Sequence, residues 1–273
     1  MTILVTGVTG LVGARLLPRL VQAGVDCRAL VRGGKEVPAG AQAVEGDLQD
    51  PASLVRAVKG VSAIVHLAAV FRTPDKNLIW RSNLDGTRHL IAATKAHAPD
   101  ARFIMASTSN VYNSDSPRPG REGDAAEPQQ AYPASKLAAE GDLRASGLNW
   151  SILRLGFVYG EGDGHLEALP RYLASGIAKF HPAGRMSMLH HRDVAVAVNL
   201  AMTGALDGHV VNVSDDAPTT FFELFGLVGG MMEPSSEPLS NPWHGHMDNT
   251  LARSLGFRPT VNTIQQAVLE KLL

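Results

Sequence analysis

Short apolar runs alternate with helix-like amphipathic segments along most of the chain. Runs rich in Val, Ile, Leu and Ala that are bounded by Gly, Pro or Asp are typical of buried strands. The predicted strands are Thr2–Val5, Asp26–Val31, Gln42–Glu45, Ala63–His66, Arg102–Ala106, Ser151–Arg154 and Val210–Val213. The predicted helices begin near Leu11, Ala52, Asn77, Ala131, His165, Arg192, Thr220, Asn249 and Thr263. This alternation predicts an α/β fold, a doubly wound parallel sheet with helices on both faces.

The regular rhythm weakens after Arg154. Glycines interrupt the chain around residues 160–164, and prolines interrupt it around residues 234–242. We therefore predict a sheet domain over residues 1–155. Residues 156–273 are predicted to form a smaller C-terminal lobe that returns in part to the sheet.

Composition narrows the function classes only a little. The 273 residues and the net charge of −1 describe a globular protein with no general attraction to nucleic acid or acidic membranes. Cys27 is the sole cysteine, which excludes an intramolecular disulfide and a multi-cysteine metal site. Met1 leads directly into the first strand, and no apolar stretch reaches about 18 residues. We therefore expect a cytoplasmic protein without a membrane or nucleic-acid partner.

A glycine-rich turn, TGVTGLVG over residues 6–13, joins the first predicted strand to the first predicted helix. In such a turn the glycines permit a tight bend, a close approach of backbone N–H groups to a pyrophosphate, and close packing of the helix on the strand. The helix N-terminus adds a partial positive charge. The flanking strand and helix distinguish it from an ordinary tight turn. The predicted cofactor contacts are Gly7, Thr9, Gly10, Leu11 and Val12.

The end of the second strand bears on the choice of cofactor. Many dinucleotide-binding folds carry an acid there for the ribose 2′-hydroxyl, whereas this chain has Arg32. A guanidinium pairs with a 2′-phosphate, so we predict NADP, with NAD as the alternative if Arg32 and Lys35 are solvated loop charges. Asp47, followed by Leu48, is placed to accept a hydrogen bond from the adenine amino group, or else to cap the next helix.

A tyrosine and a lysine lie four positions apart at the start of a predicted helix. Tyr132 and Lys136 therefore share one helix face. The ordinary pKa of tyrosine is about 10, and a neighbouring ammonium lowers it by favouring the phenolate. We predict that Lys136 makes Tyr132 a usable acid or base.

These motifs occur in order with several others, and together they resemble the extended short-chain dehydrogenase/reductase family, which includes the NAD-dependent epimerases and dehydratases. The further motifs are Asp47-Leu48, His66-Leu67-Ala68-Ala69, Asn83-Leu84-Asp85-Gly86-Thr87, Ser107 to Tyr112, Leu153 to Gly160, His191 to Ala195, Val211 to Val213 and Ala252 to Pro259. The resemblance covers nearly the whole chain. It implies a Rossmann-type NAD(P)-binding domain over residues 1–155 and a substrate-binding lobe over residues 156–273.

The resemblance also assigns roles to individual residues. It makes Thr108, Tyr132 and Lys136 the catalytic residues, with Lys136 also on the nicotinamide ribose. It places Leu67, Ala68, Ala69 and Leu155 at the cofactor. It implies a homodimer through helices over residues 83–97 and 131–146, for which Leu90 to Ala93 and Leu137 to Ala139 supply apolar surface.

Departures from the family pattern narrow the reaction. Ser109-Asn110 stands where sugar 4,6-dehydratases carry an Asp-Glu pair, and Phe157 stands where nucleotide-sugar enzymes carry an asparagine. An aromatic ring cannot bond the phosphates of a sugar nucleotide. We therefore favour an NADP-dependent oxidoreductase that acts on a carbonyl or secondary alcohol. The alternatives are a nucleotide-sugar epimerase and a non-catalytic cofactor sensor.

The substrate side combines apolar and polar candidates. The residues predicted to approach the substrate are Phe71, Asn110, Phe157, His165 and His190. Arg72 and Arg185 are the main objection to an apolar pocket, because either could bind a phosphate or carboxylate. The chain has ten histidines but none at a recognised metal-site spacing, so no metal is predicted.

Overall fold

The computed structural model describes residues 2–176 and 179–273. The strands are β1 (Thr2–Thr6), β2 (Asp26–Val31), β3 (Ala41–Glu45), β4 (Ala63–His66), β5 (Arg102–Thr108), β6 (Trp150–Leu155), β7 (Phe157–Tyr159), β8 (Arg185–Met186), β9 (Met188–His190), β10 (Val210–Val213) and β11 (Thr219–Thr220). The helices are α1 (Gly13–Gln22), α2 (Pro51–Val58), α3 (Lys76–Trp80), α4 (Gly86–His97), α5 (Ala131–Arg144), α6 (Ala168–Ala174), α7 (His191–Thr203), α8 (Phe221–Leu227), α9 (Thr250–Ser254) and α10 (Ile264–Leu269). A π-helical turn over Arg81–Asp85 joins α3 to α4.

Seven parallel strands form the central sheet, in the order β10-β6-β5-β4-β1-β2-β3. Successive side chains of a strand point to opposite faces, so Ile3 and Val5 pack with α1 and α7 while Leu4 packs with α2, α4 and α5. Each face therefore has its own apolar core. This is the doubly wound Rossmann-type fold that the alternation of elements predicts.

Residues after β6 form a smaller cluster beside the sheet. The short parallel pair β7–β9 packs its Tyr159 and Met188 against α6, α8 and α10. The chain also returns to the sheet, because β10 pairs with β6 at the edge. Among the described residues, no helix is both long and apolar enough to span a bilayer.

Two expectations from the sequence are wrong in detail. The helix expected near His165 begins at Ala168, because His165 belongs to the glycine-rich loop before it. The apolar residues expected on a dimer surface lie largely inside the subunit, where Leu90, Ile91 and Ala139 pack in the core under the sheet. Any contact between subunits through α4 and α5 must use their other faces.

Candidate active site

The turn between β1 and α1 brings backbone against backbone. Gly7 has a φ of +74°, and a Cβ there would lie 2.6 Å from the Ala68 nitrogen. A Cβ on Gly13 would lie 2.2 Å from the Gly7 carbonyl oxygen. Only glycine fits either position, so the turn stays open to a ligand above the N-terminus of α1. This arrangement fits the pyrophosphate of a dinucleotide cofactor.

The residues expected at the adenosine end lie around the carboxyl ends of β2 and β3. Arg32 is exposed directly after β2. The Asp47 carboxylate accepts a hydrogen bond from the Gln49 N–H at 2.8 Å. Asp47 does not cap the next helix, because the N-cap of α2 is Asp50, which accepts from the Ala52 N–H at 3.1 Å.

One large cavity of about 1760 Å³ opens from the glycine turn to the C-terminal lobe. Of the residues predicted for the cofactor and catalysis, it is lined by Leu11, Val12, Leu67, Ala69, Thr108, Tyr132, Lys136 and Leu155. The lining does not include the other predicted cofactor residues, which are Gly7, Thr9, Gly10, Arg32, Asp47, Leu48 and Ala68. The structure therefore brings the three predicted catalytic residues together at a single cavity.

Two elements hold these three predicted catalytic side chains. Strand β5 ends at Thr108, and α5 begins at Ala131, so Tyr132 lies in its first turn and Lys136 one turn later. Thr108 and Lys136 are buried, while Tyr132 is partly exposed to the cavity. The parallel topology thus places the end of a strand beside the start of a helix, where ligands bind in open α/β sheets.

Electrostatics at the site differ from the sequence prediction. Burial raises the pKa of Tyr132 to about 12, and the groups that oppose this rise are the Thr108 hydroxyl and the Arg72 guanidinium. Burial also lowers the pKa of Lys136 to about 8, against the attraction of Glu140. The prediction that Lys136 lowers the pKa of Tyr132 is therefore wrong for the protein alone. Desolvation of the phenol outweighs the neighbouring charges.

Asn83 fixes the loop that follows β4. Its side-chain amide accepts from the Val70 N–H at 2.7 Å and donates to the Val70 carbonyl at 3.0 Å. It also donates to the Ser135 hydroxyl of α5 at 3.1 Å. These bonds place Phe71 against the ring of Tyr132, with ring centroids 4.4 Å apart.

Arg72 extends from the same loop across the cavity. It has a φ of +63° and donates to the Tyr172 hydroxyl at 2.7 Å and to His165 Nε2. His165 Nδ1 lies 2.8 Å from the Val158 carbonyl, and its ring stacks on Phe157 at 4.0 Å. Burial lowers the pKa of His165, which favours the neutral ring that accepts from Arg72.

Four of the five predicted substrate residues line the cavity, namely Phe71, Asn110, Phe157 and His165. His190 does not, and its placement there is wrong. Its Nδ1 caps α7 by accepting from the Arg192 N–H at 3.2 Å, and its Nε2 lies 3.0 Å from the Leu272 carbonyl. It is fully buried because β9, whose last residue it is, pairs with β7 inside the lobe.

The sequence does not reveal several cavity walls. They come from distant segments and include Leu169, Tyr172, Phe180, Phe221 and Trp243. No local motif marks them, because they meet only after the C-terminal lobe folds back over the sheet. The residues that the structure describes contain no cluster of three metal-binding side chains.

Comparisons with known proteins agree with this geometry. A model of the NAD dependent epimerase/dehydratase family matches residues 3–214. The chain is 32% identical over 198 residues to a ceramide reductase from Caulobacter vibrioides, a match that covers 70% of this chain and 57% of that protein. The chain thus matches little more than half of that relative's length.

Two further similarities concern the whole fold. A dTDP-4-dehydrorhamnose reductase from Mycobacterium tuberculosis is 25% identical over 231 residues, covering 81% of this chain and 72% of that protein. A short-chain dehydrogenase/reductase superfamily protein from Agrobacterium tumefaciens, solved with bound NAD, has a TM-score of 0.81 and 25% identity. That alignment covers 99% of this chain and 95% of the other.

Proposed function

The chain belongs to the NAD dependent epimerase/dehydratase family of extended short-chain dehydrogenases/reductases, NAD(P)-binding enzymes, and we propose that it is an NADP-dependent oxidoreductase that reduces a carbonyl compound or oxidises the corresponding alcohol. One observation carries the proposal. Thr108, Tyr132 and Lys136 line the same cavity, which begins at the glycine turn. Loss of nicotinamide absorbance, when NADPH and candidate aldehydes or ketones are mixed with the purified protein, tests it.

Tyr132 is the proton donor in this proposal. Its raised pKa of about 12 keeps the phenol protonated at neutral pH. A protonated phenol can donate to a carbonyl oxygen as that oxygen becomes a hydroxyl. Thr108 lies beside Tyr132 and is placed to donate a hydrogen bond to the same oxygen. The protonated phenol is thus the form that a reduction requires of this residue.

The nicotinamide, when bound, supplies or accepts the hydride. The buried ammonium of Lys136 would hold its ribose, and the glycine turn would hold the pyrophosphate. The presence of all three catalytic side chains at the cavity argues against a non-catalytic sensor, which needs neither the phenol nor the ammonium.

NADP is favoured by Arg32 at the end of β2. We expect NADPH to bind about tenfold or more tightly than NADH, because a charge-assisted hydrogen bond contributes about 1.5–3 kcal/mol. Arg32→Ala should remove this preference, whereas Lys35→Ala, also exposed three residues later, should retain it. Calorimetry with both cofactors measures the difference. Equal wild-type affinities for NADPH and NADH would contradict the prediction.

The substrate that we propose is a lipophilic carbonyl compound without a nucleotide. The cavity of about 1760 Å³ exceeds the roughly 300–1,000 Å³ of common small-molecule pockets, which leaves space beside a cofactor. Its walls on the lobe side include the aromatic and aliphatic side chains of Phe157, Leu169, Tyr172, Phe180, Phe221 and Trp243 beside polar ones. The rings of Phe71, from the loop after β4, and of Trp243 are exposed. The name of the relative ceramide reductase agrees with this chemistry.

A nucleotide-sugar substrate is the second candidate. Arg72 and Arg185 both line the cavity, and one relative is named a dTDP-4-dehydrorhamnose reductase. Thermal unfolding of the NADPH-bound protein separates the two, because a ligand that binds the folded state raises its stability. We expect hydrophobic ketones to raise the melting temperature and UDP-, GDP- and dTDP-sugars at millimolar concentration to leave it unchanged. The reverse result would favour the nucleotide-sugar enzyme.

The homodimer and the cytoplasmic location remain proposals. The family resemblance favours a dimer through the exposed sides of α4 and α5. Ala92 and Arg88 are exposed on α4, and Arg88 is paired there with Asp142 of α5 at 2.6 Å.

A further inference from the structure

A buried ion pair involves Glu140, which lies one helical turn after Lys136 in α5. Arg154 of β6 donates from Nε and Nη2 to the two carboxylate oxygens of Glu140 in α5, at 3.1 and 2.7 Å. The two side chains are only 4% and 2% exposed. The Ser107 hydroxyl, at the end of β5, donates to the same carboxylate. Glu140 is therefore held by two neighbouring strands.

The pair is aligned with the catalytic residues. Tyr132, Lys136 and Glu140 follow one another at intervals of four positions and so share one face of α5. Ser107 directly precedes Thr108 on β5. The carboxylate thus joins the strand end that carries Thr108 to the helix face that carries Lys136.

Stability alone is a weak explanation for this pair. Removing two charges from water costs several kcal/mol for each ion, and an apolar replacement of a buried ion pair is often neutral or stabilising. The negative charge of Glu140 does, however, act on the neighbouring Lys136. Lys136 is buried, which disfavours its ammonium, and Glu140 is the group whose negative charge opposes that loss. Glu140 is paired with Arg154 and not with Lys136, and Lys136 lines the cavity.

We propose that Glu140, held in place by Arg154 and Ser107, is the positioning residue that keeps Lys136 charged and presented to the cofactor. The inference rests on the proposed contact between Lys136 and the nicotinamide ribose. Glu140 itself does not line the cavity and touches neither cofactor nor substrate. His66 of β4 also lies beside Lys136, but burial lowers its pKa to about 3, so it is neutral near pH 8. The effect of Glu140 must therefore appear as a change in the pH dependence of Lys136.

The test is the affinity for NADPH as a function of pH, measured by calorimetry without substrate. Lys136 is charged below its pKa, so binding is full at low pH and weakens as the pH rises through a value near 8. We call the pH at which the affinity begins to fall the break. Glu140→Gln removes the opposing charge and should move this break to lower pH by about one unit or more. Calorimetry in buffers of different ionisation enthalpy also measures the protons taken up when NADPH binds. In Glu140→Gln this proton uptake should occur at a correspondingly lower pH than in the wild type.

Two control variants separate charge from structure. Glu140→Asp shortens the side chain and disturbs the contact with Arg154 but keeps the charge, so its break should stay close to the wild-type value. Ser107→Ala removes one hydrogen bond that holds the same carboxylate but keeps its charge, so its break should move less than that of Glu140→Gln. A purely structural role for Glu140 predicts the opposite order, with Glu140→Asp at least as damaging as Glu140→Gln.

A further variant keeps the test valid if Glu140→Gln leaves Arg154 uncompensated and does not fold. Glu140→Gln combined with Arg154→Met removes both charges, and its break should again lie below that of the wild type. A folded double variant with the wild-type break would overturn the inference while leaving the proposed function intact. Unaltered NADPH binding by Lys136→Met would overturn both the inference and the proposed function, because it would show that Lys136 does not contact the cofactor.

Discussion

Replacing Tyr132 by phenylalanine should lower turnover by about 10²–10⁴-fold, the usual contribution of a positioned general acid or base. The substitution removes the phenol proton but keeps the ring that packs on Phe71. Affinity for NADPH should therefore stay close to that of the wild type. Steady-state rates on a validated carbonyl substrate, together with calorimetry for the cofactor, measure both effects.

Tyr159→Phe is the matched control. Tyr159 is fully buried in the C-terminal lobe, its hydroxyl has no hydrogen-bond partner among the described residues, and it does not line the cavity. The same chemical change there should leave turnover unaffected. If Tyr132→Phe kept near-normal rates, the assignment of Tyr132 as proton donor would be wrong.

The pattern of the sequence predicts the sheet and the order of its elements, because buried parallel strands are nearly continuous apolar runs. All seven predicted strands form the central sheet. The short pairs β7–β9 and β8–β11 are absent from the prediction. They have two or three residues each, too few to show a period, and they form only because the lobe packs around them.

The candidate site is predictable to the extent that backbone geometry dictates it. Gly7 and Gly13 are required by contacts that any residue with a Cβ would violate, and Tyr132 and Lys136 share a helix face by spacing alone. The pKa of Tyr132, in contrast, cannot be predicted from the sequence spacing. Its direction depends on how far tertiary packing removes the phenol from water, which the four-residue spacing does not encode.

His190 and the dimer surface show a second limit. Helical spacing gives the residues that share a face, but it does not say whether that face meets the sheet or a second subunit. Leu90 and Ile91 meet the sheet. Similarly, the order of motifs places His190 near the substrate side, whereas its side chain caps a helix inside the lobe. Orientation of a side chain within its element is set by packing, which the sequence alone does not supply.

Gly7→Ala should abolish or strongly weaken cofactor binding. The new Cβ would lie 2.6 Å from the Ala68 nitrogen and 2.8 Å from the Leu67 carbonyl carbon. Both are backbone atoms, so the turn itself must move and take its N–H groups away from the phosphates. Loss of even one charge-assisted hydrogen bond costs about 1.5–3 kcal/mol, or about 10- to 100-fold in affinity.

Gly24→Ala is the matched control for this strain. Gly24 has nearly the same φ, +78° against +74° at Gly7, but a Cβ there would meet nothing within 4 Å. Both variants carry the cost of a left-handed residue, about 1–2 kcal/mol of folding stability. Only Gly7→Ala adds the backbone clash at the proposed phosphate site. We therefore expect a lower melting temperature for both variants. Calorimetry should show a weaker affinity for NADPH only in Gly7→Ala. Equal NADPH affinity in the two variants would show that the turn does not hold the cofactor.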